Sequence, residues 1–410
     1  MFWATFLFAI GHVSAQDELL VLTDYIDAGN ATGAKLASKV TSEDLLASQV
    51  ESYSGYFRIS TDPFRNLFFW FFPCQNEPQT KPLILWLQGG PGESGMIGIM
   101  EEFGLFALNE NSTAVSFSNS TSNNAYTATV GEVADHLYEA LTQFFTVFTE
   151  FQTNDFYIAG ESYAGKYVPT LAKKIEESNS TNINLKDLLI FSGLIDPTKQ
   201  LRASLVLRQW GLIDNRTAAY LEDEEEAVAN LVVSGDNLSA ESRWFRNFVL
   251  ALDKMKYSNF YDVQRTRSRQ PGDPSELFVS MPAIKQALHV GNVTFKIFTS
   301  PVRDAMRADF MNSAKQTLED VLPNRKVLFV NGNLDLMVPP VFNEEMLSTI
   351  EPAYNASVRT FFRQDDEVVG YIKKGDNLVT AVLRNCGHYL SIDCPRPAKE
   401  IVQRFLAGTL

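Results

Sequence analysis

With 410 residues and 45% hydrophobic content, the chain carries ample apolar side chain for a large core, and its length allows two or three average domains. The 49 acidic against 35 basic residues give a formal net charge of −14, and no basic patch offsets it, which excludes nucleic acid as a partner. Three cysteines, Cys74, Cys386 and Cys394, are too few for a disulfide framework and leave at least one thiol over.

Residues 1 to 15 form a short apolar run ending in Val13-Ser14-Ala15, the small-x-small pattern of a signal-peptide cleavage site, so the mature chain is expected to begin near Gln16. A buried N-terminal strand is the alternative reading of the same run. No later segment reaches the ~18 apolar residues that a membrane-spanning helix needs. Asn-x-Ser/Thr sequons at Asn30, Asn111, Asn119, Asn179, Asn215, Asn237, Asn292 and Asn355 agree with passage through the secretory pathway, to secretion or a lysosome.

After a polar leader, Gly55–Ile59 and Asn66–Phe72 read as two antiparallel strands. Pro82–Leu87 is a continuous apolar run, the mark of a strand buried on both faces, and it ends at Gly89-Gly90-Pro91-Gly92. Val133, Leu137, Leu141, Phe144 and Phe148 recur at helical spacing between Glu132 and Phe148. Asp155 to Pro169 then reads as a strand turning sharply into a helix. Gly160, Ala164 and Gly165 allow the close packing that would place Ser162 on a strained elbow with its hydroxyl exposed.

Leu188–Ile195 is a further buried strand, with Asp196-Pro197 as a turn. Residues of about 198 to 280 lack strand-helix alternation and read as helical, and the acidic run Glu222 to Glu226 within them reads as a solvated helix face rather than a calcium loop. A helix over 302–320 and strands over 326–331 and 378–384 complete the pattern.

Four segments accompany the elbow string Gly160-Glu161-Ser162-Tyr163-Ala164-Gly165-Lys166-Tyr167-Val168-Pro169. They are Leu83–Gly92, Ala287–Asn292, Val327–Asp335 and Val382–His388. In these blocks and their order the chain resembles the serine carboxypeptidases, a branch of the α/β-hydrolases, above all the vitellogenic carboxypeptidase-like members, from about Ser54 to Leu406. The resemblance implies an α/β fold with a mostly parallel central sheet flanked by helices, one domain over 16–410 and a helical cap insertion at about 198–280. It implies removal of C-terminal residues from peptides or proteins with a free C-terminus through an acyl-enzyme, with no metal or organic cofactor.

A serine hydroxyl needs an imidazole to take its proton and a carboxylate to orient that imidazole. Only His136, His289 and His388 follow the leader. His136 stands beside Asp135 off the apolar stripe and reads as a surface residue, and His289 resembles a structural position of the family. His388 follows a strand and a glycine, so elimination and resemblance together make it the base. Asp335 lies just past a buried strand, between Ser162 and His388 in sequence, as the order Ser, Asp, His requires.

Resemblance assigns the oxyanion donors to the backbone of Gly90 and Tyr163. It assigns recognition of the substrate carboxylate to Gln88, the Gly89 backbone, Glu102 and Glu161, the two carboxyls sharing a proton at acidic pH. Cys386 and Cys394 bracket His388 and either form a bridge that braces its loop or remain two buried thiols.

The chain also departs from the family pattern. Between Ala114 and Val115 about twenty residues are absent, enough for one sheet strand and its return loop. Glu93, Leu105 and Ser391 stand where the family prefers a small residue and two prolines. A missing internal strand is expected to expose backbone groups and impair catalysis. Two further readings therefore stand beside the peptidase: a catalytically impaired secreted homologue acting in binding or storage, and an acyltransferase or esterase using the same triad.

Overall fold

The computed structural model describes residues 4–9, 19–41, 50–60, 65–102, 126–257, 259–266, 278 and 280–410. The leader's cleavage site, the sequons at Asn111 and Asn119, Leu105 and the junction at Ala114-Val115 lie outside them. The chain divides into two compact units, one of residues 1–159, 170–187 and 270–305, the other of 160–169, 188–269 and 306–410.

In the first unit the elements are β1 (Ala4–Ala9), α1 (Leu22–Asp27), α2 (Ala31–Ala37), β2 (Tyr53–Arg58), β3 (Asn66–Phe72), β4 (Leu83–Leu87), α3 (Val130–Val147) and most of β5 (Phe156–Glu161). Its strands stand in the order β2-β3-β1-β4-β5. All seven residues of β3 and all five of β4 are buried, as their unbroken apolar runs require. Phe71 of β3 meets Phe144 of α3 and Phe148 just beyond it edge-on, each at 5.3 Å between centroids. Each fully buried phenylalanine stabilises the fold by roughly 1.5–3 kcal/mol, and edge-to-face pairs add about 0.5–1.5 kcal/mol. At the start of α3, Thr129 accepts from the Glu132 N–H at 3.1 Å, while Glu132 reaches back to the Ala128 N–H at 2.6 Å.

The expected gap in the sheet is not seen between β3 and β4. β1 pairs antiparallel with β3, from Thr5 opposite Phe72 to Ala9 opposite Phe68. On its other edge it runs parallel to β4, from Ala4 opposite Leu83 to Leu7 opposite Trp86. Residues from the segment read as a leader thus form an interior strand. A short apolar run fits either purpose, since both need a stretch without charge.

The remaining strands belong mainly to the second unit and stand in the order β6 (Leu185–Phe191), β7 (Val327–Gly332), β10 (Leu378–Leu383), β9 (Glu367–Lys374), β8 (Thr360–Gln364). β6, β7 and β10 are parallel, whereas β9 and β8 are antiparallel additions. β6 ends at Phe191, earlier than the apolar run extends, because Ser192 takes a left-handed φ of 45°. Between Phe156 and Ser178 the chain turns from β5 into α4 (Ala164–Ser178).

Asp196 does not simply turn the chain; its carboxylate caps the short helix α5 (Pro197–Gln200). The expected cap region does hold helices, α6 (Ser204–Gln209), α7 (Asn215–Val233) and α8 (Asn237–Met255). Their apolar residues Val206, Leu207, Leu221, Ala251 and Met255 cluster with Phe260, Leu334 and Leu336, so they pack on the segment that follows β7. The acidic run is only partly solvated. Glu224 forms a bidentate pair with Arg243, both bonds 2.8 Å, and Glu225 accepts from the backbone of Ala203 and Ser204 at the start of α6.

One expectation fails for a local reason. The single helix over 302–320 is two short helices, Ser300–Ala305 and Lys315–Val321, separated by turns. Asp365-Asp366 is the two-residue turn of the β8-β9 hairpin, with φ of 47° and 66°. Aspartate tolerates that left-handed region better than most residues, which is what such hairpin turns need.

Candidate functional site

The residues singled out from sequence fall on both units. Gln88, Gly89, Gly90 and Glu102 lie on the first, and Glu161, Ser162, Tyr163, Asp335 and His388 on the second.

In the second unit Ser162 follows β5 and takes a φ of 58°. A non-glycine residue there costs on the order of 1–3 kcal/mol and persists only where its surroundings fix it. Here the Ser162 N–H donates to the Phe191 carbonyl at 3.0 Å, and its own carbonyl accepts from the N–H groups of Gly165 and Leu194, both at 2.9 Å. Gly165 is required by the last contact: a Cβ there would lie 2.8 Å from the Leu194 nitrogen and oxygen. Ser162 is half-buried between the buried residues Glu161 and Tyr163. It stands at the N-terminal end of α4, where the helix favours negative charge.

His388 and Asp335 come from two different loops and meet. His388 Nδ1 lies 2.8 Å from Asp335 Oδ2, and both residues are buried. The other carboxylate oxygen accepts from the N–H groups of Met337 at 2.7 Å and Val338 at 3.1 Å. A carboxylate so engaged acts as acceptor, which assigns the imidazole proton to Nδ1 and makes Nε2 basic.

The base itself is held by groups that sequence did not reveal. The His388 N–H donates to the Tyr261 carbonyl at 2.7 Å, and its carbonyl accepts from Ser192 Oγ at 2.8 Å. The rings of Tyr261 and Tyr389 lie 5.3 and 5.4 Å from the imidazole centroid. Gly387 N–H donates to Asp393 at 3.0 Å. Burial pushes the Asp393 carboxyl above its ordinary value, against the opposing pull of Arg265, which pairs with it at 2.8 Å. Cys386 and Cys394 form a disulfide across the same loop. Such a short closed loop restricts the unfolded chain by roughly 2–3 kcal/mol in the chain-entropy account. Only the cysteine spacing hinted at these supports; Ser192, Tyr261 and Asp393 have no sequence pattern that links them to His388.

In the first unit Gln88 is buried beside the strand end. Its Oε1 accepts from Trp86 Nε1 at 2.9 Å and its Nε2 donates to Glu102 Oε1 at 3.2 Å. This bond joins two of the residues expected to bind a carboxylate. Gly90 has a φ of 99°, and a Cβ there would lie 2.8 Å from the Glu93 nitrogen, so glycine is required. The loop is pinned by residues 297–299: Ser94 N–H donates to the Ile297 carbonyl at 3.0 Å and Thr299 N–H to the Gly92 carbonyl at 2.8 Å.

The other histidines have separate surroundings. His289 Nδ1 lies 3.1 Å from the Ser54 carbonyl and 3.2 Å from Ser54 Oγ, a structural contact as expected. His136 on α3 is half-buried rather than fully at the surface, and burial holds its pKa below the ordinary value. Among the six described sequons, Asn30, Asn179, Asn215, Asn292 and Asn355 are exposed, whereas Asn237 is half-buried and donates to Asn312. Ser391 is buried in a short helix, and Cys74 is buried and outside the disulfide.

Comparison with known proteins gives one consistent answer. The serine carboxypeptidase family matches residues 43–116 and 110–408. A human protein named "Probable serine carboxypeptidase CPVL" is 32% identical, over 95% of this chain and 90% of the relative. The "Venom serine carboxypeptidase" of Apis mellifera is 31% identical over 94% and 90%, and the "Vitellogenic carboxypeptidase" of Aedes aegypti 29% over 95% and 90%. Among solved structures, the prohormone-processing carboxypeptidase Kex1(Δ)p of Saccharomyces cerevisiae superposes with a TM-score of 0.78 at 20% identity, covering 91% of this chain and 96% of that one. That likeness shows the fold, an α/β-hydrolase with a mostly parallel central sheet.

Proposed function

Because the chain belongs to the serine carboxypeptidase family, we propose that it hydrolyses peptides at their C-terminus with Ser162 as nucleophile, His388 as base and Asp335 as the orienting carboxylate. The observation that carries this reading is the buried 2.8 Å bond between His388 Nδ1 and Asp335, in the same unit as the left-handed Ser162. Ser162 Oγ attacks the last peptide carbonyl while His388 Nε2 accepts its proton; Asp335 stabilises the imidazolium. The N–H groups of Gly90 and Tyr163 receive the charge on the carbonyl oxygen. His388 returns the proton to the leaving amino acid, and the acyl-enzyme remains on Ser162. Water, deprotonated by His388, releases the shortened peptide.

Exopeptidase specificity rests in this reading on Gln88, the Gly89 backbone, Glu102 and Glu161. Two nearby carboxyls that share one proton hydrogen-bond a substrate carboxylate without repelling it, and that arrangement favours acidic pH. The bond from Gln88 to Glu102 supports the grouping of those two. Passage through the secretory pathway is supported by five exposed sequons and by the Cys386–Cys394 disulfide. Among the described residues no helix is long and apolar enough to cross a membrane.

The decisive experiment is labelling of the purified protein with an active-site serine phosphonate, followed by assay on free-acid peptides, C-terminal amides and esters. We expect labelling of wild type, none of Ser162→Ala, and cleavage of free-acid peptides in preference to amides. Labelling of Ser162→Ala would assign the nucleophile elsewhere. Equal cleavage of amides would remove any role for the carboxylate-binding group, and activity on esters alone would favour the esterase reading.

A further inference from the structure

Lys166 lies in the first turn of α4, four residues beyond Ser162, and is only 1% exposed. A lysine buried to that degree needs partners for its charge. Its ammonium donates to the Phe310 carbonyl at 2.6 Å. It also lies 4.8 Å from the centroid of the Tyr163 ring and 5.7 Å from that of Phe310. The Tyr163 and Phe310 rings stack at 5.4 Å and 14°, Phe310 stacks in turn on Trp244 of α8 at 4.9 Å, and Tyr167 closes edge-on against Tyr163 at 5.4 Å.

The mechanism above uses Tyr163 through its backbone N–H alone and gives Lys166 no task. Yet the ring of that residue is clamped between Phe310 and Tyr167, and the cation faces both rings of the stack. The Lys166 N–H also donates to the Tyr163 carbonyl at 3.1 Å. Ring and backbone of Tyr163 are therefore fixed by one neighbour.

Resting on that reading of the site, we propose that Lys166 is a positioning residue: its ammonium holds the Tyr163 ring against Phe310 and so fixes the direction in which the Tyr163 N–H meets the oxyanion. Cation–π attraction requires the charge, so the clamp weakens when the proton leaves. Burial lowers the pKa of Lys166 to about 7, with Asp309 and Asp196 opposing that shift. The phenol of Tyr163, whose ring the ammonium faces, and that of Tyr167, whose ring meets Tyr163, are pushed far up by burial and stay neutral.

The sign of the linked stability separates this effect from unfolding. The folded state loses the Lys166 proton at about pH 7, the unfolded chain only near about 10.4. Between those values the unfolded state binds more protons, so this group makes folding more favourable as pH rises. A kcat that falls in the same interval is then a local effect at Tyr163, not a melting driven by Lys166. Protonation of Glu102 and Glu161 instead acts on KM for free-acid substrates.

The test compares wild type with Lys166→Met, near in shape and uncharged, and Lys166→Arg, which stays charged throughout. For each, kcat, KM, phosphonate titre and the near-UV circular dichroism of the aromatic stack are followed from about pH 4 to about pH 9. We expect wild-type kcat to fall through about pH 7. Lys166→Met should lose about tenfold in kcat at acidic pH, with KM and titre kept and no remaining change near neutrality. Lys166→Arg should keep the acidic kcat and carry the alkaline limb upward by at least about one pH unit. The near-UV spectrum should change across neutrality in wild type and not in the arginine variant.

A methionine variant with wild-type kcat and profile overturns the proposal, as does one whose lost activity is matched by lost titre. If Lys166→Met does not fold, Lys166→Arg decides alone, and an unmoved limb overturns the role. A wild type that fails to react with the phosphonate overturns the reading of function instead.

Discussion

The two units secure their functional candidates in different ways. In the second, Ser162, Asp335 and His388 follow three strands, β5, β7 and β10, and side-chain and backbone bonds from Ser192, Tyr261, Met337 and Val338 fix them. In the first, Gln88 to Gly92 follow β4, whose neighbour on one edge is β1, a strand drawn from the extreme N-terminus. One set rests on hydrogen bonds from loops of its own unit; the other follows a strand whose neighbour is drawn from residues 4–9. Chemistry that depends on the second unit alone should survive disturbance of β1, and recognition that depends on the first should not.

The largest effect is expected within the second unit. Asp335→Asn keeps the shape but turns an acceptor toward donating, so the imidazole proton moves to the wrong nitrogen. We expect kcat to fall on the order of 10³–10⁴-fold with little change in KM, measured on a free-acid peptide. A loss below about tenfold would mean that the pair at 2.8 Å serves stability alone.

Disturbance of β1 comes next. Leu7→Pro removes a ladder N–H from a strand paired on both edges, and we expect a loss of about 3 kcal/mol in unfolding free energy, read from denaturant titration. The comparison sharpens if peptide turnover falls more than phosphonate labelling of Ser162 does. N-terminal sequencing of exported protein bears on the same point. Cleavage after Ala15 would take β1 away with the leader, and a protein so processed that melts cooperatively with full activity would show that the fold does without this strand.

The smallest effect concerns Gln88. Gln88→Ala removes the bonds to Trp86 and Glu102, each worth about 1 kcal/mol net. KM for free-acid peptides should rise about tenfold with kcat nearly kept, while esters blocked at the C-terminus should be indifferent. An equal rise for both substrate types would place Gln88 in loop support rather than in recognition.

Much of the strand and helix order was legible because the pattern was strong. β3, β4 and β7 are unbroken apolar runs, α3 has a clear helical stripe, and the elbow at Ser162 needs small residues where Ala164 and Gly165 stand. The β8-β9 hairpin was not legible, since half-exposed strands give weak alternation and an Asp-Asp turn lacks the usual glycine. β1 was read as a leader because an uncharged apolar run satisfies both a targeting segment and an interior strand.

By itself, then, the sequence determined the family, the order of the central strands and the identity of Ser162, Asp335 and His388 as candidates. These are properties of residue type, spacing and order, which the chain carries before it folds. Only the tertiary structure decided that Cys386 bonds Cys394, that Tyr261, Ser192 and Asp393 hold the His388 loop, that Lys166 faces Tyr163, and that residues 4–9 stand between β3 and β4. Ser192, Tyr261 and β1 meet their partners from far along the chain, whereas Cys394, Asp393 and Lys166 meet partners within eight residues through the local turn of the backbone. Local pattern records what a segment can bury, and only packing decides against which partner it is buried.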